Sequence, residues 1–251
     1  MGKIMKLNNL VALAVLPIAM TTQIQAGDFT LGFGGYSSKS PYTDFEDESG
    51  ALPIVEYEGD GFSVGVSGLK VDLINNEQSL VKLSAVLGAN GSGFDEDDSK
   101  VFAGLKDRDS SIDLGLQVEY AIGAAAALEA TLMADVSSTH RGYTFDVNYN
   151  YNMPMLGGYL QPAVGLEFQS AKFADYYYGV RANEATATRA AYQAGSAVNP
   201  YIEYSFVYPI NKQMKIIHGT SVTKLSSEIK DSSIVDKSTT WTSFVGFGYT
   251  F

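Results

Sequence analysis

The sequence contains no cysteine, one tryptophan and two histidines, and its 17 basic residues are outnumbered by 28 acidic ones. Without cysteine there is no disulfide framework and no thiolate nucleophile, which fits an exported protein that folds without crosslinks. The acidic balance, a formal net charge of −11, excludes a nucleic-acid partner, which needs a basic footprint. Beyond residue 26 no stretch approaches the roughly 20 apolar residues of a membrane helix. Linker-like and low-complexity segments are also missing, so residues 27–251 read as one domain.

The single long apolar run, Leu10 to Met20, follows Lys3 and Lys6 and leads into Ile24-Gln25-Ala26. This is the layout of a secretory signal peptide, residues 1–26, cleaved after Ala26. The run is too short for a transmembrane anchor. Its removal takes away two lysines and no acids, so the mature chain is more acidic still.

What the chain has in quantity is glycine (25), tyrosine (16) and phenylalanine (13). These are arranged with period two. In the final segment Trp241, Val245, Phe247, Tyr249 and Phe251 fall on one face, with Thr240, Thr242, Gly246, Gly248 and Thr250 on the other. Phe29, Leu31 and Phe33 oppose Thr30, Gly32 and Gly34 in the same way. Ile112, Leu114, Leu116, Val118, Tyr120 and Ile122 oppose Asp113, Gly115, Gln117 and Glu119. Successive strand residues point to opposite faces, so a greasy face backed by a small or polar one suits a strand between lipid and a wet lumen. Strands of ten or so residues with tyrosines near their ends define an all-β, transmembrane antiparallel β-barrel. Eleven segments are strong, and closure in such barrels needs an even number. Twelve strands are expected, with ten as the alternative; the twelfth comes either from Tyr176 to Val180 or from a division of Gly61 to Ile74. Short connections at Gly123 to Ala125, Asn152 to Leu156 and Pro209 to Lys212 are read as periplasmic. Longer ones around Tyr36 to Gly50, Asn90 to Ser110, Gln169 to Gly195 and Leu225 to Thr239 are read as extracellular loops. The aromatic end, Tyr249 and Phe251, is the expected signal to the barrel-insertion machinery.

The face turned from lipid carries Asp113, Glu119, Glu129, Asp135, Asp146, Glu167 and Glu203, with Lys82 as the main basic exception. An acidic lumen of this kind either favours cations or is filled by hydrogen-bonded side chains. Asp95 to Asp98 is a run of acids without the spacing or fixed glycine of an EF-hand, so no metal site is assigned. His140 follows Ser137-Ser138-Thr139 and could meet Asp135, but nothing in the spacing makes the three converge, and polar turn residues are the simpler reading. No catalytic residue and no cofactor are expected.

Several segments resemble the MltA-interacting protein (MipA/OmpV) family of Gram-negative outer membranes. The most specific is Asp175 to Ala185, DYYYGVRANEA, followed by Tyr192 to Ala197, YQAGSA. These carry the aromatic-Gly-Val, Glu-Ala and Tyr-x-Ala-Gly pattern at Tyr176, Tyr177, Tyr178, Gly179, Val180, Glu184, Ala185, Tyr192 and Gly195. Asp135 to Tyr143 is similar to an Asp-Val-Ser-Gly-x-His-x-Gly hairpin, with Ser138 where glycine is usual. Asp231 to Val235 is similar to Asp-Ser-Pro-Ile-Val, with Ser233 in place of proline, and Pro53 to Phe62 resembles the early Pro-x-x-x-Tyr segment. The resemblance implies a non-enzymatic outer-membrane barrel, lodged in outer-membrane lipid, that scaffolds a lytic transglycosylase and a penicillin-binding synthase. A narrow cation-preferring channel and a surface adhesin are the alternatives. From the residues themselves, Tyr176 to Tyr178 are expected to anchor at the headgroups, Gly179 to relieve crowding against a neighbouring strand, and Arg181 to pair with Glu184. An inward-folded constriction loop is the other reading of this segment.

Overall fold

The computed structural model describes residues 27–75, 79–90 and 92–251; the expected signal peptide lies outside the described residues. The chain is one antiparallel sheet rolled into a closed barrel. Its strands are β1 (Asp28–Ser38), β2 (Glu48–Gly59), β3 (Phe62–Gly65), β4 (Gly68–Ile74), β5 (Val81–Asn90), β6 (Ser111–Ile122), β7 (Ala126–Asp135), β8 (Tyr143–Tyr151), β9 (Met153–Met155), β10 (Gly158–Gln169), β11 (Ala197–Pro209), β12 (Met214–Lys224) and β13 (Thr239–Thr250). Two short helices, α1 (Ala171–Tyr178) and α2 (Ser227–Lys230), sit in loops. β9 continues β8 along the same partner, β10, after a break at Asn152. The wall therefore has 12 staves.

Each strand pairs with its sequence neighbours, and the ring closes where β1 meets β13, Thr30 opposite Thr250 and Ser38 opposite Thr242. Closure satisfies the backbone groups that an open edge would leave bare in lipid. At this seam Gly32 faces Gly248 and Gly34 faces Gly246. A Cβ at Gly32 would come within 2.0 Å of the Phe247 carbonyl, so no side chain fits there.

The alternation places apolar residues outside. Phe33, Ile112, Leu114, Leu116, Leu132, Val164, Leu166, Ile202 and Val245 are all exposed on the outer wall, as a lipid-facing band requires. At the periplasmic ends of their strands, Tyr120, Tyr151, Tyr159 and Tyr208 are exposed and form an aromatic girdle.

The structure resolves the parity question through Gly61 to Ile74, which divides into β3 and β4, while Tyr176 to Val180 contributes the end of α1 and no strand. Two connections differ from expectation. β1 and β2 reach into the loop expected at Tyr36 to Gly50, because the register runs on to Ser38 opposite Glu48. The turn expected at Asn152 to Leu156 is only Leu156-Gly157, both at positive φ, the geometry that the twist of a two-residue hairpin demands.

The dry core of this protein lies outside the sheet. Tyr42, Phe94, Phe102, Leu105, Phe173, Tyr177, Tyr178, Val180, Leu225, Ile229 and Ile234 form one buried cluster. They come from the connections after β1, β5, β10 and β12, which leave the barrel at separate points of its circumference. They meet only by converging over its extracellular mouth. The long loops are thus a packed cap.

Candidate functional site

The cap is built on a buried ion pair. Arg108 Nη2 lies 3.0 Å from Glu184 Oε2 with both side chains almost fully buried. The carboxylate also accepts hydrogen bonds from the Lys106 N–H at 3.1 Å and the Arg181 N–H at 3.0 Å, so its lone pairs are well used. Burial alone would raise the Glu184 pKa, but the Arg181 N–H and the Arg108 guanidinium outweigh it and hold the acid below the usual carboxylate range. Arg108 further donates through Nε to the Tyr176 carbonyl at 2.6 Å. Beside it Arg189 donates to the carbonyls of Val101, Ala103 and Glu184, tying three turns together.

The family segment supplies most of the remaining joints. Val180 and Tyr192 exchange backbone hydrogen bonds of 2.8 and 2.9 Å. The Tyr192 hydroxyl donates to the Glu228 carbonyl at 3.1 Å, and the Gly195 N–H to the Glu228 carboxylate at 3.0 Å. Ala185 follows Glu184 on the exposed side of that turn. Tyr177 and Tyr178 are buried in the cap, with carbonyls that accept from the Tyr42 hydroxyl and from Ser232 Oγ. The expectation of headgroup anchoring therefore fails for these two. They sit on successive positions of α1, which rolls them inward, and burial pushes both phenols up. Gly179 is also placed differently: a Cβ there would meet the Asp175 carbonyl at 2.2 Å, so the crowding comes from its own helix end and not from a strand. Arg181 does reach Glu184, at 3.4 Å, but Arg108 is the principal partner.

Below the cap, the acids of the lumen are engaged along one wall. Asn148 donates to Glu129 at 3.4 Å and to Asp146 at 3.2 Å; the Tyr201 hydroxyl donates to Asp146 at 2.9 Å. Gln169 and Asn199 donate to Glu167 at 3.0 and 3.4 Å, and Lys82 lies 3.8 Å from Glu119. Glu203 is opposite Ala163 and Ser221 on this wall. Hydrogen-bonded side chains occupy the space that a ring of free carboxylates would need.

Asp135 stands at the extracellular end of the set. It ends β7 and folds back onto its turn, accepting from the backbone N–H of Ser137, His140 and Arg141 at 2.8, 2.8 and 2.7 Å. It is the clasp of the Asp135 to Tyr143 hairpin, and it stands at the top of the inward face opposite Asp113, where ligand atoms of Asp113, Asp135 and His140 lie within 4.8 Å of one another. His140 in turn reaches Ser111 Oγ at 3.1 Å, and Ser111 donates to Asp113 at 2.8 Å. This buried Ser-His-Asp trio is not the one imagined with Asp135. Because His140 Nδ1 accepts the Gly142 N–H at 2.9 Å, the neutral ring carries its proton on Nε2 and donates toward Ser111. In that tautomer the imidazole does not serve as the base for that hydroxyl, whose proton is directed at the Asp113 carboxylate. Asp95, Asp97 and Asp98 bring carboxylates within 4.8 Å of one another, but Asp98 is spent on the Asp95 N–H.

Fold, girdle, lipid-facing band and capped mouth define an outer-membrane β-barrel protein. The family model for "MltA-interacting protein MipA" matches residues 31–251, and the chain belongs to that family. Outer membrane protein OmpV of Vibrio cholerae serotype O1 is 32% identical over 215 residues, 86% of this chain and 83% of that one. The MltA-interacting protein of Escherichia coli K12 is 28% identical over 226 residues, 90% of each. Among solved structures an outer membrane channel of Pseudomonas putida F1 aligns with a TM-score of 0.45 at 10% identity, covering 92% of this chain and 97% of that one.

Proposed function

We propose that this barrel is a non-enzymatic envelope scaffold whose periplasmic rim holds a peptidoglycan-acting partner, a lytic transglycosylase first and a penicillin-binding synthase through it. The observation that carries the reading is the periplasmic rim beyond the tyrosine girdle. Leu156 stands there 79% exposed, at φ 51, a conformation that costs a leucine about 1 kcal/mol or more. Asparagine or glycine would make the same turn without strain. Ile122, Ile210 and Phe251 are exposed at the same level, so apolar points ring the opening. Turns this short supply an interface only collectively, and a standard one buries about 800 Å² per partner. The name of the Escherichia coli relative, an MltA-interacting protein, supports the choice of partner. A cation channel is disfavoured, since the mouth is capped and the acidic wall is engaged in hydrogen bonds.

The test places a photo-crosslinking amino acid at Leu156 or Ile210 in intact cells. Capture of a lytic transglycosylase is expected, and Leu156→Asp should cut capture at Ile210 at least fivefold. Recovery of no periplasmic cell-wall enzyme from either position would refute the scaffold.

A further inference from the structure

The wall is not uniform. β3 has four residues and β4 seven, between β2 with twelve and β5 with ten. β3 pairs with β2 only at Tyr57 to Gly59, and β4 pairs with β5 from Leu69 opposite Leu87 downward. Above the hairpin tip at Val66-Ser67 the flanks of β2 and β5 face each other across two missing strands, roughly 14 Å of circumference at ordinary strand spacing. The Val55 carbonyl is directed at Gly65 of β3, so by alternation Ala51 and Pro53 also turn their backbones to this side. Among the described residues no backbone hydrogen bond from Ser49, Ala51 or Val55 crosses the gap. Pro53 has no N–H to offer there, which blunts the edge against an added strand.

The gap is framed. Its floor is the β3–β4 tip and its sides are β2 and β5. Its lintel is the part of the cap where Tyr42 packs on Phe94 and Phe102, each at 5.1 Å, and Ser99 Oγ donates to the Thr43 and Asp44 carbonyls at 3.3 and 3.2 Å. The outer sides of the frame carry Val55 and Leu87, and the next strands carry Leu31, Phe33 and Ile112, all exposed, so the opening lies at hydrocarbon depth. Inside, it gives onto Leu52 and, behind it, onto Ile54, which is only 5% exposed because it packs over the glycine face of Gly34 and Gly246. Across the lumen stands the polar wall. There Gln117 Oε1 and Gln161 Oε1 are buried acceptors that no protein donor reaches among the described residues.

We propose that this window is a lateral port through which a single-chain amphiphile passes between the lipid phase and the lumen. Its acyl chain enters past Leu52 and displaces Ile54 from the glycine face, and a hydroxyl-bearing head donates to one of the free acceptors, Gln117 or Gln161. The acidic wall selects a neutral donor head such as a monoacylglycerol over a fatty-acid carboxylate. Alternation directs the outer surface to lipid, while the pairing of β3 and β4 leaves the hole.

The test uses the mature protein in phosphatidylcholine vesicles with a monoacylglycerol carrying a diazirine in its acyl chain, and adducts are mapped by mass spectrometry. Labelling is expected at lumen-facing Leu52 and Ile54 and at lipid-facing Leu31, but not at Thr131 on the opposite lumen wall. Ala51→Trp, on the outer rim of the window, should lower labelling of Ile54 at least fivefold and leave Leu31 unchanged. Free palmitate with the same diazirine should label Ile54 several-fold less than the monoacylglycerol. Absence of adducts at Leu52 and Ile54 beside a labelled Leu31, or labelling of Thr131 to the same extent, overturns the port. Equal labelling by palmitate overturns the assignment of a donor head.

Discussion

Glu184→Ala is the most informative single change to the cap. It leaves the Arg108 guanidinium buried without its counter-ion and strips the Lys106 and Arg181 amides of their acceptor. Removing one partner of a buried pair costs about 3–5 kcal/mol. At 1.4 kcal/mol per decade, this is about a hundredfold to a few thousandfold in the opening equilibrium of the cap. The barrel ladders do not pass through Glu184, so the loss should be local. Hydrogen exchange reads this directly. The Val180 and Tyr192 amides, bonded to each other's residues, should lose protection by that factor, while Val118 in β6 keeps its own. A double change, Arg108→Met with Glu184→Leu, removes the uncompensated charge and should restore part of the protection, the Lys106 and Arg181 amides still lacking their acceptor. Unchanged protection at Val180 in Glu184→Ala would refute the ion pair as the cap's fastening. An equal loss at Val118 would refute the cap as a separate cooperative unit.

Further outcomes follow from the same geometry. Since the folded pKa of Glu184 lies below its ordinary 4.5, its contribution is complete above that value and is lost as pH falls through the lowered one; cap protection should be level at neutral pH and decline in acid below about pH 4.5. At the other extreme the raised phenols of Tyr177 and Tyr178 hold their contribution below about pH 10 and lose it above, so alkali should also open the cap before the barrel, as exchange at Val180 would record. Gly179→Ala drives a Cβ against a backbone carbonyl and should cost about 1–3 kcal/mol of cap stability. Gly195→Ala meets only the movable end of Glu228 at 2.8 Å and should cost less; proteolysis of the loop after β10 ranks the two, and the reverse order would contradict the packing described.

Where strands span the bilayer alone between lipid and lumen, the sequence announces them: Ile112 to Ile122 and Tyr143 to Tyr151 alternate without error, and β6 and β8 follow. β12 is less legible because its outer face carries His218 and Thr220, which are polar and are accommodated by the Tyr204 hydroxyl at 3.1 and 3.5 Å. β3 and β4 are too short for a period to declare itself. The cap was legible only as a family pattern. Three consecutive tyrosines suit an interfacial belt as well as a buried helix, and local spacing does not distinguish them. Arg108 sits among Lys106, Asp107 and Asp109 in what reads as a solvated loop, and its partner is 76 residues away. A buried charge pair between two loops leaves no periodic trace. In the sequence Glu184 has a ready partner in Arg181 three residues before it, and nothing in the segment points to Arg108.

The cap also sets how the cylinder bears load. At the outer end, four connections are lashed to one rigid knot, so β1, β2, β5, β6, β10, β11, β12 and β13 hold fixed spacings there. At the inner end, adjacent strands are joined by turns as short as Leu156-Gly157, and only the ladders resist a change in cross-section. Lateral force from a neighbour in the membrane would ovalise the inner rim and leave the outer rim round. The tube is stiff at one end and compliant at the other.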